Sequence, residues 1–163
     1  MRAAAGVAES GVTEVRKNML NQVETMFDDM LNMMKKLKKA SYEKNMKTFR
    51  EKYGHFFEEM AQYTDASEDK ETAAKEVAAV FTEAVNKKFS VKGKVRPRTQ
   101  ADLNFFMIYY VFPAVLLTES ENKDLIAKSI RDEWAAKFKD SDIGYADYDK
   151  IYGGFRQKIL GIF

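Results

Sequence analysis

Residues 42–63 read YEKNMKTFREKYGHFFEEMAQY, and this stretch decides the fold class. Its apolar side chains recur at alternating spacings of four and three residues. They are Tyr42, Met46, Phe49, Tyr53, Phe56, Met60 and Tyr63. Because an α-helix completes a turn in about 3.6 residues, this spacing places all of them on one face of a helix. The stretch therefore predicts an amphipathic helix that packs this face against a core.

The preceding segment predicts another amphipathic helix, over residues 12–37, with a wide apolar face. Its apolar stripe jumps by two residues before Tyr42, which is about 200° around a helix axis. We therefore expect the chain to turn at residues 38–41. The alternative is one helix over residues 12–63 whose halves face different partners, since no glycine or proline lies between the halves.

Four more helices are predicted farther along the chain, because each later apolar series also has a helical period. Their apolar faces span residues 74–89, 99–117, 126–138 and 148–160. Two capping boxes, Thr99 with Asp102 and Thr118 with Glu121, predict where the fourth and fifth helices begin. No alternating strand pattern is present. We expect an all-α bundle of five to six helices.

Composition favours one compact helical domain over residues 1–163, with a flexible segment at residues 1–11. The chain is 45% hydrophobic and 32% charged, has a net charge of +2 and contains no cysteine. The charge balance excludes a histone-like polycation, an acidic tail protein and most disordered classes. The absence of cysteine excludes disulfides, iron–sulfur clusters, thiolate zinc sites and cysteine nucleophiles.

The chain carries no predicted membrane span. Its longest apolar run, residues 103–117, is interrupted by Asn104 and Pro113. As a helix this run would extend about 22 Å, whereas the hydrocarbon core of a bilayer is about 30 Å thick. The N-terminal stretch also lacks the apolar block of a signal peptide, so we expect a cytoplasmic protein.

The single histidine, His55, excludes many catalytic and metal sites. Di-metal bundle sites with paired Glu-x-x-His motifs and His-Glu-x-x-His zinc sites each need two histidines. The chain also lacks a Gly-x-Ser-x-Gly elbow and the glycine spacings that cradle phosphates. His55 lies one residue off the apolar stripe, which predicts an exposed helix flank. We expect no enzyme, no cofactor and no metal site.

A basic segment interrupts the otherwise balanced charge pattern. Residues 87–98 contain six cations and no acid, whereas residues 65–86 contain six acids and two bases. The cations are Lys87, Lys88, Lys92, Lys94, Arg96 and Arg98. Such a segment can neutralise phosphates, and Phe89 could stack on a base. The alternative is a solvated interhelical loop over residues 90–98 that pairs in part with the acidic helix before it.

The fourth predicted helix is rich in aromatic residues and contains a proline. Because proline removes a backbone donor, we expect a kink that exposes polar backbone beside aromatic walls. The candidate lining of a pocket for a small apolar or aromatic ligand is Asn104, Phe105, Phe106, Tyr109, Tyr110 and Pro113. The alternative is a buried, Pro-kinked helix that fills the core.

Methionines line one face of the first predicted helix. Such faces adapt to varied partners, although at core spacing they also serve as filler. If the bundle covers only the centre of the face, its flanks form a surface for a homodimer. Leu31 and Met34 flank the central stripe and are the candidate interface.

The helix count and the aromatic fourth helix are similar to the ligand-binding domains of small bacterial transcriptional regulators. The similarity covers architecture only, because no segment resembles their DNA-binding helix-turn-helix, and it implies no functional residue. The first functional hypothesis is a non-enzymatic bundle that acts through protein–protein contact or self-association. The second is a bundle that binds a small apolar ligand along residues 99–117. The third is weak binding of nucleic acid or anions through residues 87–98.

Overall fold

A computed structural model of the protein describes residues 14–29, 32 and 42–138. Its helices are α1 (14–29), α2 (Tyr42–Ala66), α3 (Lys70–Phe89), α4 (Pro97–Phe106), a π-helical turn (Met107–Val111), α5 (Phe112–Leu116) and α6 (Lys123–Lys137). The predicted all-α fold class is confirmed. The predicted helix over 148–160, the turn at 38–41 and the flexible segment 1–11 lie outside the described residues.

The buried side chains of four helices lie at the spacings that the sequence predicts. They include Met19, Val23 and Met26 on α1, Phe49, Phe56 and Met60 on α2, Val77, Phe81 and Val85 on α3, and Ile126, Ile130 and Trp134 on α6. Val15, which begins the described part of the first stripe, is exposed instead. Each of these helices therefore contributes one apolar face to a common core.

The segment from α4 to α5 is the most deeply buried part of the described chain. Residues 103–116 are all buried except Phe105 and Tyr109. The ring of Phe106 packs edge-on against that of Phe27, with 5.6 Å between the ring centroids. The prediction of a buried aromatic central helix is therefore confirmed.

A π-helical turn separates α4 from α5 just before Pro113. Its closing hydrogen bond runs from the N–H of Phe112 to the carbonyl of Met107, five residues back. Pro113 has no N–H with which to continue the regular helical ladder, and the wider turn ends at Val111, two residues before it. The kink at Pro113 stays a prediction, whereas the change of helix type is observed.

The basic segment is a hairpin and not the simple loop predicted for residues 90–98. Strand β1 (Ser90–Val91) pairs antiparallel with β2 (Lys94–Val95). Lys92 and Gly93 form the two-residue turn between them, with φ of 54° and 79°. This is the backbone that hairpins of this length favour, and glycine adopts it without steric cost. Two-residue strands are too short to show an alternating pattern, so the sequence did not reveal them.

Both predicted capping boxes are wrong about where the helices begin. α4 begins at Pro97, two residues before Thr99, because proline has the φ of a first helical residue already set. α6 begins after Asn122, since the Thr118 hydroxyl closes the end of α5 instead. That hydroxyl donates to the carbonyl of Val115 at 2.7 Å.

The connections before α3 and α6 lie at one end of α3, and the hairpin that follows α3 lies at the other. α3 packs along α6, and Thr82 Oγ1 donates to Glu133 Oε1 at 3.4 Å in the C-terminal half of each helix. Asp65, in the last turn of α2 before the connection to α3, accepts a hydrogen bond from Ser120, just before α6, at 2.6 Å. The two helices therefore run parallel.

Candidate functional site

Two cations of the basic segment are neutralised by α1. The ammonium of Lys87 lies 3.1 Å from a carboxylate oxygen of Glu24. That of Lys88 lies 2.5 Å from a carboxylate oxygen of Asp28. The expected pairing of this segment with acids therefore occurs, but the acids come from α1 and not from the preceding α3.

The other four cations lie on what we call the basic hairpin, defined as residues 90–98: the two strands, their turn and the first two residues of α4. All four are exposed, and none forms an ion pair with another residue in the described part of the chain: Lys92, Lys94, Arg96 and Arg98. Val91 pairs across the strands with Lys94 and is 65% exposed. The hairpin therefore presents an exposed apolar side chain together with positive charges that no described residue neutralises.

An acidic end lies at the opposite end of α3, and we define it as residues 65–71 with residues 119–124. The two segments contain seven carboxylates and two lysines. Asp65 Oδ1 joins them, because it accepts from Ser120 Oγ at 2.6 Å and from Asn122 Nδ2 at 2.7 Å. Asp69 caps α3 by accepting from the backbone N–H of Thr72 at 3.1 Å. Hydrogen bonds from the Thr72 hydroxyl and then its N–H lower the pKa of Asp69.

The polar residue of the candidate pocket lies in the core with partners from the bundle itself. Asn104 is 2% exposed. Its Oδ1 accepts from Gln100 Nε2 at 2.9 Å and from Trp134 Nε1 at 2.7 Å. Asn104 therefore joins α4 to α6 as well as interrupting an apolar run. Tyr110, another pocket candidate, is also buried. This burial raises the pKa of Tyr110, and a hydrogen bond from Asn45 opposes the rise.

The remaining pocket candidates lie on different sides of the same helix. Phe106 and Pro113 are buried, whereas Phe105 is 43% exposed. Phe105 stacks on the half-buried Tyr109 with 4.4 Å between ring centroids. Because consecutive helical residues point about 100° apart, Asn104, Phe105 and Phe106 face three directions. The six candidates do not converge on one space, and a ligand at this helix stays a prediction.

The candidate interface at Leu31 and Met34 lies outside the described residues. On the described part of α1, Met19 and Met26 are buried in the core. These two methionines therefore fill the bundle and do not belong to an outer face. Self-association through α1 stays a prediction.

Two tyrosine–carboxylate pairs hold α2 against its neighbours. The hydroxyl of Tyr53 and the ammonium of Lys52 both donate to Asp29 on α1, and these bonds lower the pKa of Asp29, with Lys52 the larger cause. Burial, followed by the bond to Asp29, raises the pKa of Tyr53. The hydroxyl of Tyr63 donates to Glu76 on α3. Burial, followed by this bond, raises the pKa of Tyr63 to about 12.

Sequence reasoning missed the partners of Asn104 and the bridge at Asp65. A signal for the first was present, because an amide inside an apolar run needs a buried partner and Trp134 on a buried face needs an acceptor for its N–H. No signal was available for Asp65, since Ser120 lies 55 residues away in sequence.

His55 is exposed on α2, as its position beside the apolar stripe predicts. Among residues 14–29, 32 and 42–138, no group of three acidic or histidine side chains could hold a metal ion. None of the helices in these ranges combines the length and the apolar character needed to cross a membrane. Comparisons of the chain with protein families, curated proteins and solved structures found no match.

Proposed function

We propose that this chain is a non-enzymatic helical bundle that acts by binding, and that the basic hairpin docks onto an acidic surface of a protein partner. One observation carries the proposal. Lys92, Lys94, Arg96 and Arg98 are exposed without an ion-pair partner in the described chain, and Val91, which pairs with Lys94 across the strands, is also exposed. Interfaces commonly combine an apolar centre with a charged rim, which is the arrangement around Val91.

The aromatic residues near the hairpin favour a protein over a nucleic acid. Single-stranded nucleic acids bind where exposed rings stack on bases beside a basic groove. Phe89, the ring closest in sequence to the hairpin, is only partly exposed and packs edge-on against Phe27, with 6.2 Å between centroids. Phe105 has one face covered by Tyr109. Both rings already pack against another aromatic ring, so neither is fully available to stack on a base. In addition, acids on α1 neutralise two of the six cations.

A binding role also agrees with the places where titratable groups are perturbed. Two of the tyrosines with raised pKa values, Tyr53 and Tyr63, donate to carboxylates on neighbouring helices, and the third, Tyr110, is raised by burial in the core. Perturbed groups at a catalytic site usually converge in a cleft. Here the hydroxyls of Tyr53 and Tyr63 each form a hydrogen bond to a neighbouring helix, which supports a structural role for these two residues.

The test measures binding of fluorescent poly-glutamate by anisotropy. Exposed ion pairs contribute roughly 0.2 to 1 kcal/mol each, so replacing Lys92, Lys94 and Arg96 with glutamine is expected to weaken binding about tenfold. The matched control replaces three other exposed lysines, Lys47, Lys75 and Lys128, and so removes the same charge. We expect the control variant to bind as the wild type does.

Two results would contradict the proposal. Equal losses in the two triple variants would mean that net charge, and not the hairpin, governs binding. Tighter binding to single-stranded oligothymidylate than to poly-glutamate at matched salt, lost only in the hairpin variant, would assign the hairpin to nucleic acid. Thermal unfolding of both variants checks that they fold, and we expect little change because the replaced side chains are exposed.

A further inference from the structure

The basic hairpin and the acidic end lie at opposite ends of one rigid helix. α3 has 20 residues, so its ends are about 30 Å apart. This separation exceeds the Debye length at physiological salt, which is about 8 Å, and each end therefore presents its own charge to solvent. The nearly neutral total of +2 conceals this opposition.

Much of the negative charge of the acidic end has no ion-pair partner within the described chain. The ammonium of Lys70 donates to the backbone carbonyls of Asp65 and Ser67, at 2.8 and 3.0 Å, and forms no ion pair there. The carboxylate of Asp65 is bound by the neutral side chains described above. Four further carboxylates are exposed and form no ion pair with another described residue: Glu68, Glu71, Glu119 and Glu121.

We infer that the acidic partner is a second copy of this chain, with the basic hairpin of one molecule docked onto the acidic end of the next. This inference rests on the proposed function and names its partner. The two surfaces have opposite charge: one carries four exposed cations and the other four exposed carboxylates, and none of these eight groups forms an ion pair with a described residue. They cannot meet within one molecule, because α3 holds them apart.

The contact joins two different surfaces, so it is heterologous. A pair formed in this way leaves one hairpin and one acidic end unused, and further copies add to them. The product is an open chain of molecules or a closed ring, whereas a contact that used the same patch on both copies would stop at a dimer. Growth beyond the dimer therefore distinguishes this contact from the predicted α1 interface.

The test uses sedimentation velocity with two variants, each disabled at one end. The hairpin variant has Lys92, Lys94 and Arg96 replaced by glutamine, and the acidic-end variant has Glu68, Glu71, Glu119 and Glu121 replaced by glutamine. Wild-type protein is expected to form species larger than dimers as its concentration rises at about 0.01 M salt, where the Debye length is about 30 Å. It is expected to return to monomer at about 1 M salt, where that length is about 3 Å.

Each variant alone is expected to remain monomeric. An equimolar mixture is expected to form a dimer and no larger species, because the hairpin variant keeps its acidic end and the acidic-end variant keeps its hairpin. The lysine control variant from the poly-glutamate test keeps both surfaces and is expected to assemble as the wild type does. Adding the acidic-end variant, which supplies a hairpin but no acidic end, is expected to cap those chains and shorten them.

Wild-type protein that stays monomeric at low salt would overturn the inference, and so would a dimer that survives in both variants. The poly-glutamate measurement distinguishes these failures from failure of the proposed function. If the hairpin still binds poly-glutamate while the wild type stays monomeric, the hairpin serves another protein and only the self-association is wrong. If poly-glutamate binding also fails to depend on the hairpin, both proposals are wrong.

Discussion

Replacing Phe106 with alanine removes a ring from the centre of the bundle. Phe106 is 1% exposed, and its centroid lies 5.6 Å from those of Phe27 and Phe49 and 5.9 Å from that of Tyr110. Truncating a fully buried phenylalanine costs about 3 to 5 kcal/mol, from lost transfer free energy and the cavity left behind. Since three aromatic contacts are lost as well, we expect a value near the upper end, about 4 to 5 kcal/mol.

The neighbouring Phe105 provides a matched control, because it has the same side chain on the same helix but is 43% exposed. Its main loss on truncation is the stack on Tyr109, at 4.4 Å. We expect Phe105→Ala to cost about 1 kcal/mol, the value typical of an aromatic pair. The two substitutions therefore differ in burial and not in chemistry.

Urea unfolding followed by far-ultraviolet circular dichroism measures both costs, and thermal unfolding checks them. For a protein of this length 1 kcal/mol moves the Tm by about 2 to 4 °C, so Phe106→Ala is expected to lower it by about 8 to 20 °C. Equal costs for the two variants would refute the placement of Phe106 in the core. A cost below about 1 kcal/mol for Phe106→Ala would mean that space already exists beside it, as the pocket hypothesis requires.

Three further predictions concern single side chains. Asn104→Leu leaves the indole N–H of Trp134 without its acceptor, so we expect a loss of about 1 to 3 kcal/mol in urea unfolding and a change in the emission of this single tryptophan. The pKa of Tyr63 is raised from 10.0 to about 12, so the protonated hydroxyl stabilises the folded state fully below pH 10. This stabilisation is lost as the pH rises to about 12. We expect Tyr63→Phe to remove this part of the pH dependence of the Tm. Gly93→Ala meets no atom within 4 Å but has a φ of 79°, so we expect a purely conformational cost of about 1 kcal/mol, measured by thermal unfolding.

The helical faces could be predicted from sequence because their determinant is local. The spacing of Met46, Phe49, Phe56 and Met60 follows from the pitch of a single helix, and all four are buried in the structure. The helix starts could not be predicted in the same way. A pattern such as Thr118 with Glu121 is compatible with several local structures. In this protein the Thr118 hydroxyl donates to the carbonyl of Val115 in the preceding helix, α5, instead of capping α6.

The candidate sites were harder to predict because their members depend on distant partners. The hydrogen bond between Asn104 and Trp134 spans 30 residues. The six pocket candidates lie close together in sequence, between residues 104 and 113, but a helix turns successive side chains in different directions. Only the packing of α4 against its neighbours determines that Phe106 is buried while Phe105 is exposed.

The sequence by itself determined the all-α class, the apolar faces and the presence of six cations in residues 87–98, because periodicity and charge are properties of neighbouring residues. Only the tertiary structure decided which of those cations form ion pairs with described residues. Lys88 is neutralised by Asp28, which is 60 residues away in sequence, whereas Lys92 and Lys94 lie on the hairpin and form no ion pair with a described residue. The same packing joined Asp65 to Ser120 and so gathered the carboxylates at the opposite end of α3. Pairings of this kind depend on distances between helices, and one chain segment alone cannot specify them.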